Sequence, residues 1–212
     1  MVSNALIAIL TSIEINLMKK TIKYTLLLLV ITSCQFNPSY TVKGNKTVTR
    51  KDRQIEVSFE NIEISNGITL LLSEGKKRQV SIEADENIHK HIFTEVSNGT
   101  LKIYTDVNTR DTKAKNVYIT TSGLKGIYAS SGSAVISKND MIANLLDLKT
   151  SSGASMDIHL NASIINASSS SGSSMTLQGS AYKLSSKTSS GSQINAKELI
   201  AELTNAKASS RS

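Results

Sequence analysis

The motif Ser-Ser-Gly opens four consecutive segments of similar length, and it constrains the fold more than any other feature of the sequence. The four segments cover residues 130–150, 151–169, 170–188 and 189–208. A unit of about 20 residues is therefore repeated. A glycine that recurs at fixed spacing needs a geometric reason, such as a corner with positive φ or a close backbone approach. We predict structural corners at these glycines: Gly132, Gly153, Gly172 and Gly191.

Apolar residues occupy matching places in the units. One set lies six places into each unit and comprises Val135, Met156, Met175 and Ile194. Another set lies five places before the next unit and comprises Leu146, Ile165, Leu184 and Thr204. We expect each set to stack into a column of one continuous core. Alternation between these places predicts two short strands per unit.

A period of this length fits a leucine-rich repeat, a β-helix coil or half of a propeller blade. The leucine-rich pattern, the calcium-binding nonapeptide and tryptophan are all absent. Gly/Ser composition alone would also fit a flexible linker, but linkers do not carry apolar residues in register. The sequence therefore predicts an all-β fold, a parallel β-helix with about 20 residues per rung.

Residues 1–34 have the layout of a secretory signal, with the true start expected at Met18. Lysines follow Met18, and the apolar run after them is too short to span a bilayer. The run ends in Ile31-Thr32-Ser33-Cys34, which resembles the lipobox of bacterial lipoproteins. We expect Cys34 to be the lipid attachment site, with a free thiol behind an ordinary signal as the alternative. One cysteine allows no internal disulfide.

Residues 35–53 contain the only proline and are predicted to be a tether, so the domain is expected to begin near Gln54. Alternating apolar residues and Asn-Gly turn signals then predict a series of strands. Residues 85–96 differ, because Ile88, Ile92 and Val96 are four apart. This spacing predicts a short helix, which with the strands would cap the end of the coil.

Several segments together carry a family resemblance. They are Gly67–Leu72, Asp85–Ile88, Gly99–Ile103, Val117–Thr120 with Leu124 and Ile127 behind it, and the repeated Ser-Gly-Ser rungs. In this order they resemble the head GIN domain of autotransporter adhesins, which are secreted or lipid-anchored proteins abundant in Bacteroidetes. The resemblance covers roughly residues 54–212.

This resemblance implies a right-handed parallel β-helix, an exported protein of the cell envelope, and no established ligand. The chain departs from the family pattern inside a fifth rung, where Arg211 stands in place of glycine. We therefore expect residues 54–212 to be a domain truncated at its carboxyl end.

Catalytic and metal sites are not predicted. His89 and His91 would point apart on a helix, and the third histidine, His159, lies in a repeat, so no metal site is expected. The acidic residues of the repeats do not share columns in neighbouring rungs; they are Asp140, Asp147, Asp157, Glu198 and Glu202. The first serines of the motifs recur in every unit, so we expect a hydroxyl ladder at the corners rather than a nucleophile: Ser130, Ser151, Ser170 and Ser189.

Charge does not identify a partner by itself. The chain carries +7, and loss of residues 1–34, which hold three lysines and one glutamate, leaves +5. The lysines are scattered without aromatic partners, so nucleic acid is not an expected partner. We predict a non-enzymatic envelope lipoprotein without cofactor, anchored to the outer membrane by its lipid and binding a glycan or cell-surface protein. A carbohydrate-active enzyme, a glycan-binding module and an envelope-stress signalling partner remain alternatives.

Overall fold

Residues 40–210 form an all-β fold without an α-helix, built on a sheet that curls like a half-barrel. The computed structural model describes Met18, Lys20 and residues 40–210. The strands are β1 (Thr41–Lys43), β2 (Val48–Asp52), β3 (Asn61–Ile64), β4 (Thr69–Glu74), β5 (Gln79–Asp85), β6 (Ile92–Ser97), β7 (Thr100–Thr105), β8 (Asn108–Arg110), β9 (Lys115–Thr121), β10 (Gly126–Ala129), β11 (Ala134–Ser137), β12 (Met141–Thr150), β13 (Ser155–Ser169), β14 (Ser174–Thr188) and β15 (Gln193–Ala208).

One parallel series of strands runs in the order β9, β4, β11, β13, β14 and β15. Its central column of paired residues is Val117, Leu70, Val135, Met156, Met175 and Ile194. All but Ile194 are buried in the core. The last four are the column predicted from the repeats, and the register confirms it.

A second parallel series runs in the order β7, β3, β10, β12, β13, β14 and β15. The other predicted column is confirmed here, because Leu146, Ile165, Leu184 and Thr204 pair in succession. Strands β13, β14 and β15 belong to both series because each is one continuous strand of 15 or 16 residues. The prediction of two short strands per unit is therefore wrong for these repeats, since parallel neighbours supply hydrogen bonds along the whole unit.

Antiparallel strands flank the parallel series at its amino-terminal end. Strand β5 pairs with β9, and β2 pairs with β5. Strand β6 pairs with β7 at the other margin. A separate two-stranded parallel sheet joins β1 to β8.

Each repeat turns through two residues with positive φ. At the first corner, Ser131 and Gly132 have φ values of 51° and 69°, which are typical of a type I′ turn. The N–H of Gly132 donates to the carbonyl of Ser152 in the next corner at 3.0 Å. Hydrogen bonds between turns therefore continue the ladder past the strand ends. The glycines of the following corners share this conformation, with φ of 71° at Gly153, 69° at Gly172 and 70° at Gly191.

The helix predicted within residues 85–96 is wrong. A single 3₁₀ turn covers His89–His91, and β6 begins directly after it at Ile92. Ile88 and Ile92 are buried as expected, but pairing with β7 satisfies the backbone from Ile92 onward. A turn that leads directly into a strand therefore places apolar residues four apart here, without a helix.

Paired structure begins ahead of Gln54, within the segment predicted as a tether. Strand β1 and strand β2 both lie between residues 40 and 53. Strand β2 pairs with β5 over five residues, from Val48 opposite Asp85 to Asp52 opposite Ser81. The charged sequence of β2 concealed it, because the alternating pattern of an apolar face is absent.

We expect Gly179→Ala to destabilise the domain far more than Gly172→Ala. Gly179 has φ of 110°, and a Cβ there would collide with the carbonyl oxygen of Leu160 on the paired strand. Gly172 has φ of 69° and open space around it, so alanine should cost only about 1 kcal/mol. In urea denaturation, the loss of unfolding free energy for Gly179→Ala should exceed the loss for Gly172→Ala by about 2 kcal/mol or more. Equal losses would contradict the register of β13 against β14.

Candidate functional site

A cleft lies over the outer face of the antiparallel strands β2, β5 and β9. Alternation along β5 buries Val80 and Ile82 in the core and turns Gln79 and Ser81 to the opposite face. Tyr118 of β9 pairs with Ser81 across the strands and lies on the same face. These side chains form the floor of the cleft.

The chain after β2 closes one side of this cleft. The N–H of Arg53 donates to the carbonyl of Val80 at 2.8 Å, which holds the following residues beside the sheet. The cavity measures about 540 Å³. It is lined by Arg50, Asp52, Arg53, Gln54, Ile55, Glu56, Arg78, Gln79, Val80, Ser81, Tyr118 and Thr120. We call it the arginine cleft, because it contains three of the five arginines of the chain.

Arg50 is held by two neighbours. Its Nε donates to the Ser81 hydroxyl at 3.0 Å, and its Cζ lies 4.0 Å from the centroid of the Tyr118 ring. Stacking on an aromatic face orients a guanidinium without neutralising it. Arg50 therefore keeps its full charge in a restricted position.

Arg53 and Arg78 are also oriented by neutral groups. Nη2 of Arg53 donates to the carbonyl of His89 at 3.1 Å. Cζ of Arg78 lies 4.8 Å from the centroid of the Phe59 ring, and its Nη1 donates to the Val57 carbonyl at 3.4 Å. Within residues 40–210, none of the three cleft arginines forms an ion pair.

Glu83 lies on the same face of β5 as Ser81 and contacts Tyr118. Its Oε2 accepts hydrogen bonds from Asn116 at 2.9 Å and from the Tyr118 hydroxyl at 3.0 Å. Hydrogen bonds from Asn116 and Tyr118 hold the pKa of Glu83 below its usual range, against the opposing effect of burial. Burial and the bond to Glu83 raise the pKa of Tyr118, so its hydroxyl remains a donor. Glu83 also stands opposite Arg50 across β5 and β2, and the charge of Arg50 lowers the pKa of Glu83 further.

Asp85, at the end of β5, ties two loops to the sheet beside the cleft. Its carboxylate is buried and accepts the backbone N–H groups of Lys46, Lys113 and Ala114 at 2.8 to 3.0 Å. Burial alone would raise the pKa of Asp85, but these hydrogen bonds outweigh burial and lower it. Gly44 faces this carboxylate, and no side chain would fit there.

We expect Asp85→Asn to cost about 1–3 kcal/mol of stability at pH 7, because the amide group would face backbone donors. The folded pKa of Asp85 lies below the unfolded value, so its stabilisation is present above about pH 4 and is lost as the pH falls through the folded pKa. In urea denaturation, the free energy of unfolding of Asp85→Asn should lie below that of the natural chain at pH 7, and the difference should be smaller at pH 3. Asp111→Asn is the control, because Asp111 is 58% exposed and its replacement should change the free energy of unfolding little. A difference independent of pH would contradict this role.

The serine hydroxyls that bond at the corners follow the glycine by one residue. Oγ of Ser133 donates to the Ile64 carbonyl at 3.2 Å, and Oγ of Ser192 donates to the Ser169 carbonyl at 2.6 Å. Ser173 is buried in the same way, because this is the first inward-facing place after the turn. The hydroxyl bonds expected at Ser130, Ser151, Ser170 and Ser189 are therefore made three residues later, and at three of the four corners, because Ala154 takes this place in the second repeat.

The structure does not bring the three histidines together. His89 is buried, with Nε2 at 3.0 Å from the Thr49 carbonyl, and His91 pairs with Asp106 at 2.9 Å. His159 is exposed on β13. Within the described residues, no group of three or more potential metal ligands occurs. Cys34 lies outside the described residues.

Sequence reasoning missed the arginine cleft. Arg50 and Arg53 fall in the segment predicted as a tether, and Arg78 is 25 residues further on. The available signal was the clustering of three of five arginines within residues 50–78. Their convergence depends on the pairing of β2 with β5, which no sequence pattern indicated.

No helix within the described residues is long and apolar enough to cross a membrane.

The fold defines a class of protein, an all-β repeat protein with parallel stacked strands and antiparallel strands at one end. The chain belongs to the family described as "Putative auto-transporter adhesin, head GIN domain", whose model matches residues 58–212. The family resemblance seen in the sequence is thereby confirmed. A search of curated proteins found no significant match.

Solved structures from Bacteroidetes share this fold. A putative adhesin from Bacteroides fragilis is 21% identical with a TM-score of 0.75, over 80% of this chain and 79% of that one. A putative adhesin from Parabacteroides merdae is 19% identical with a TM-score of 0.63, over 81% and 82%. One from Parabacteroides distasonis is 21% identical with a TM-score of 0.63, over 79% and 81%. At these identities the likeness concerns the fold alone.

Proposed function

We propose that this protein is an exported, lipid-anchored envelope protein whose repeats form a right-handed parallel β-helix that binds ligands without catalysis. The observation that carries this proposal is the unbroken parallel register from β4 through β11, β13 and β14 to β15. Family membership supports an adhesin-like role. Binding would use the long regular faces that such a stack presents.

The repeat length supports the coil. Paired residues in successive repeats are 19 to 21 positions apart, as for Val135 with Met156 and Met156 with Met175. Each repeat therefore returns the chain to a parallel neighbour one strand along. Parallel crossover connections are right-handed in almost all proteins, which favours the right-handed form.

Anchoring rests on the sequence around Cys34. The lipobox-like segment Ile31–Cys34 supports acylation of the cysteine and retention at the outer membrane, with the domain on the cell surface or on the periplasmic face. The family supports an exported or cell-surface protein.

We expect Cys34→Ser to abolish lipid attachment, because the acylated thiol is lost. Mass spectrometry of the mature chain should give Cys34 as the acylated first residue in the natural protein, and no acyl mass in the variant. Ser33→Ala keeps a small residue before the cysteine and serves as the control. Protease treatment of intact cells would then assign the face of the membrane. An unacylated natural amino terminus would refute the anchor.

A binding role is tested by attachment. Beads carrying the full chain should adhere to glycan or matrix-protein arrays. Beads carrying a variant in which the outward-facing residues of β13 and β14 are exchanged for one another should adhere more weakly. The inward columns are unchanged in that variant, so its fold provides a fair comparison. Failure of the natural chain to adhere to any array above protein-free beads would refute adhesion, and equal adhesion of the two chains would place the contact outside the faces of β13 and β14.

A glycan-binding module is the second candidate, and the arginine cleft favours it. Carbohydrate cleavage by paired carboxylates has less support. Asp147 accepts a hydrogen bond from Asn166 of the next strand at 2.8 Å, and Asp157 accepts one from Gln178 at 3.2 Å. Each carboxylate thus faces an amide rather than a second acid. Release of reducing sugar that depends on Asp157 would overturn the non-enzymatic proposal.

A further inference from the structure

We propose that the arginine cleft binds the carboxylate group of an acidic saccharide, such as a uronic acid residue of a glycan. This inference rests on the proposed binding function and names the ligand class of a site that family membership leaves open. It draws on the orientation of the three arginines, the net charge of the cleft and its polar floor.

The three guanidinium groups are available to an anion. The contacts that hold Arg50, Arg53 and Arg78 use a hydroxyl and two backbone carbonyls as acceptors. Each guanidinium has five N–H donors, and each of these hydrogen bonds uses one. Three cations in one lining raise the local positive potential, and Glu83, which stands opposite Arg50 across β2 and β5, offsets part of it. Held side chains lose little entropy when a ligand binds.

The charge of the cleft favours a single carboxylate over a phosphate. Asp52 and Glu56 lie in the same lining as the three arginines and reduce its net charge to one positive charge. A phosphate dianion concentrates two charges on one group and would meet stronger repulsion from these two carboxylates than a uronate residue, which carries one charge. The guanidinium fork also matches the planar geometry of a carboxylate through two parallel hydrogen bonds.

The remaining lining suits sugar hydroxyl groups. Gln54, Gln79 and Thr120 supply amide and hydroxyl groups, and the acids Asp52 and Glu56 can accept hydrogen bonds from hydroxyl donors. A volume of about 540 Å³ falls within the range of small-molecule sites. One face of the Tyr118 ring is covered by Arg50, so recognition depends on polar contacts more than on stacking.

Titration calorimetry with tetragalacturonate tests the proposal on the full chain. We expect the double variant Arg50→Ala with Arg78→Ala to weaken binding at least tenfold. Arg110→Ala is the matched control, because Arg110 is an exposed arginine outside the cleft, and its removal should leave binding unchanged. The methyl ester of the same tetrasaccharide should bind at least tenfold more weakly than the acid.

A second variant distinguishes the geometry of the guanidinium group from its positive charge, and unfolding curves test whether the variants fold. The double variant Arg50→Lys with Arg78→Lys keeps the positive charge but removes the fork, so binding should again fall several-fold. Unfolding curves of both double variants should confirm that they are folded. The proposal is overturned by the absence of tetragalacturonate binding in the natural chain, by equal binding of the ester, by equal loss in Arg110→Ala, or by inorganic phosphate binding as tightly as the acid.

The outcomes separate this inference from the proposed function. Adhesion that persists in the double variant at Arg50 and Arg78 would overturn the cleft as its ligand site while leaving the binding function intact. Tetragalacturonate binding without adhesion would support the cleft and refute the adhesin-like role.

Discussion

The parallel register between successive repeats is the constraint on which the rest of the structure depends. Parallel strands cannot be joined by a tight hairpin, so every repeat must travel about 20 residues before it meets its neighbour. Slipping the pairing by one residue would turn an entire column such as Val135, Met156 and Met175 out of the core. The Ser-Ser-Gly turns oppose such slips, because the Gly132 N–H bonds the next turn at Ser152.

The antiparallel strands at the amino-terminal end change what this stack can do. Strands β5 and β2 extend the sheet beyond β9 and expose a polar outer face. Asp85 holds the adjoining loops through backbone N–H groups, so this face has a firm border. The repeats bear scattered lysines, of which Lys149 lies over the Tyr128 ring, whereas this end concentrates arginines on Tyr118 and Phe59. The proposed saccharide site therefore lies at this end of the stack.

Two errors of sequence reasoning share one cause. The spacing of Ile88, Ile92 and Val96 predicts a helix, yet β6 forms because β7 offers a strand to pair with. Residues 48–52 carry three charged side chains and read as a tether, yet they form β2 beside β5. In both segments a distant partner strand decided the conformation, and local periodicity carries no information about such a partner.

The sequence by itself determined the all-β fold, the length of the repeat, the inward columns and the corner glycines, because these follow from residues that recur at fixed spacing. It also indicated the family. Only the tertiary structure decided that β13, β14 and β15 run unbroken, that hydroxyls bond one place after the glycine, and that Arg50, Arg53 and Arg78 converge. The physical reason is that these features depend on which strands pair across long separations, and hydrogen bonds between backbones leave no periodic trace in the side chains.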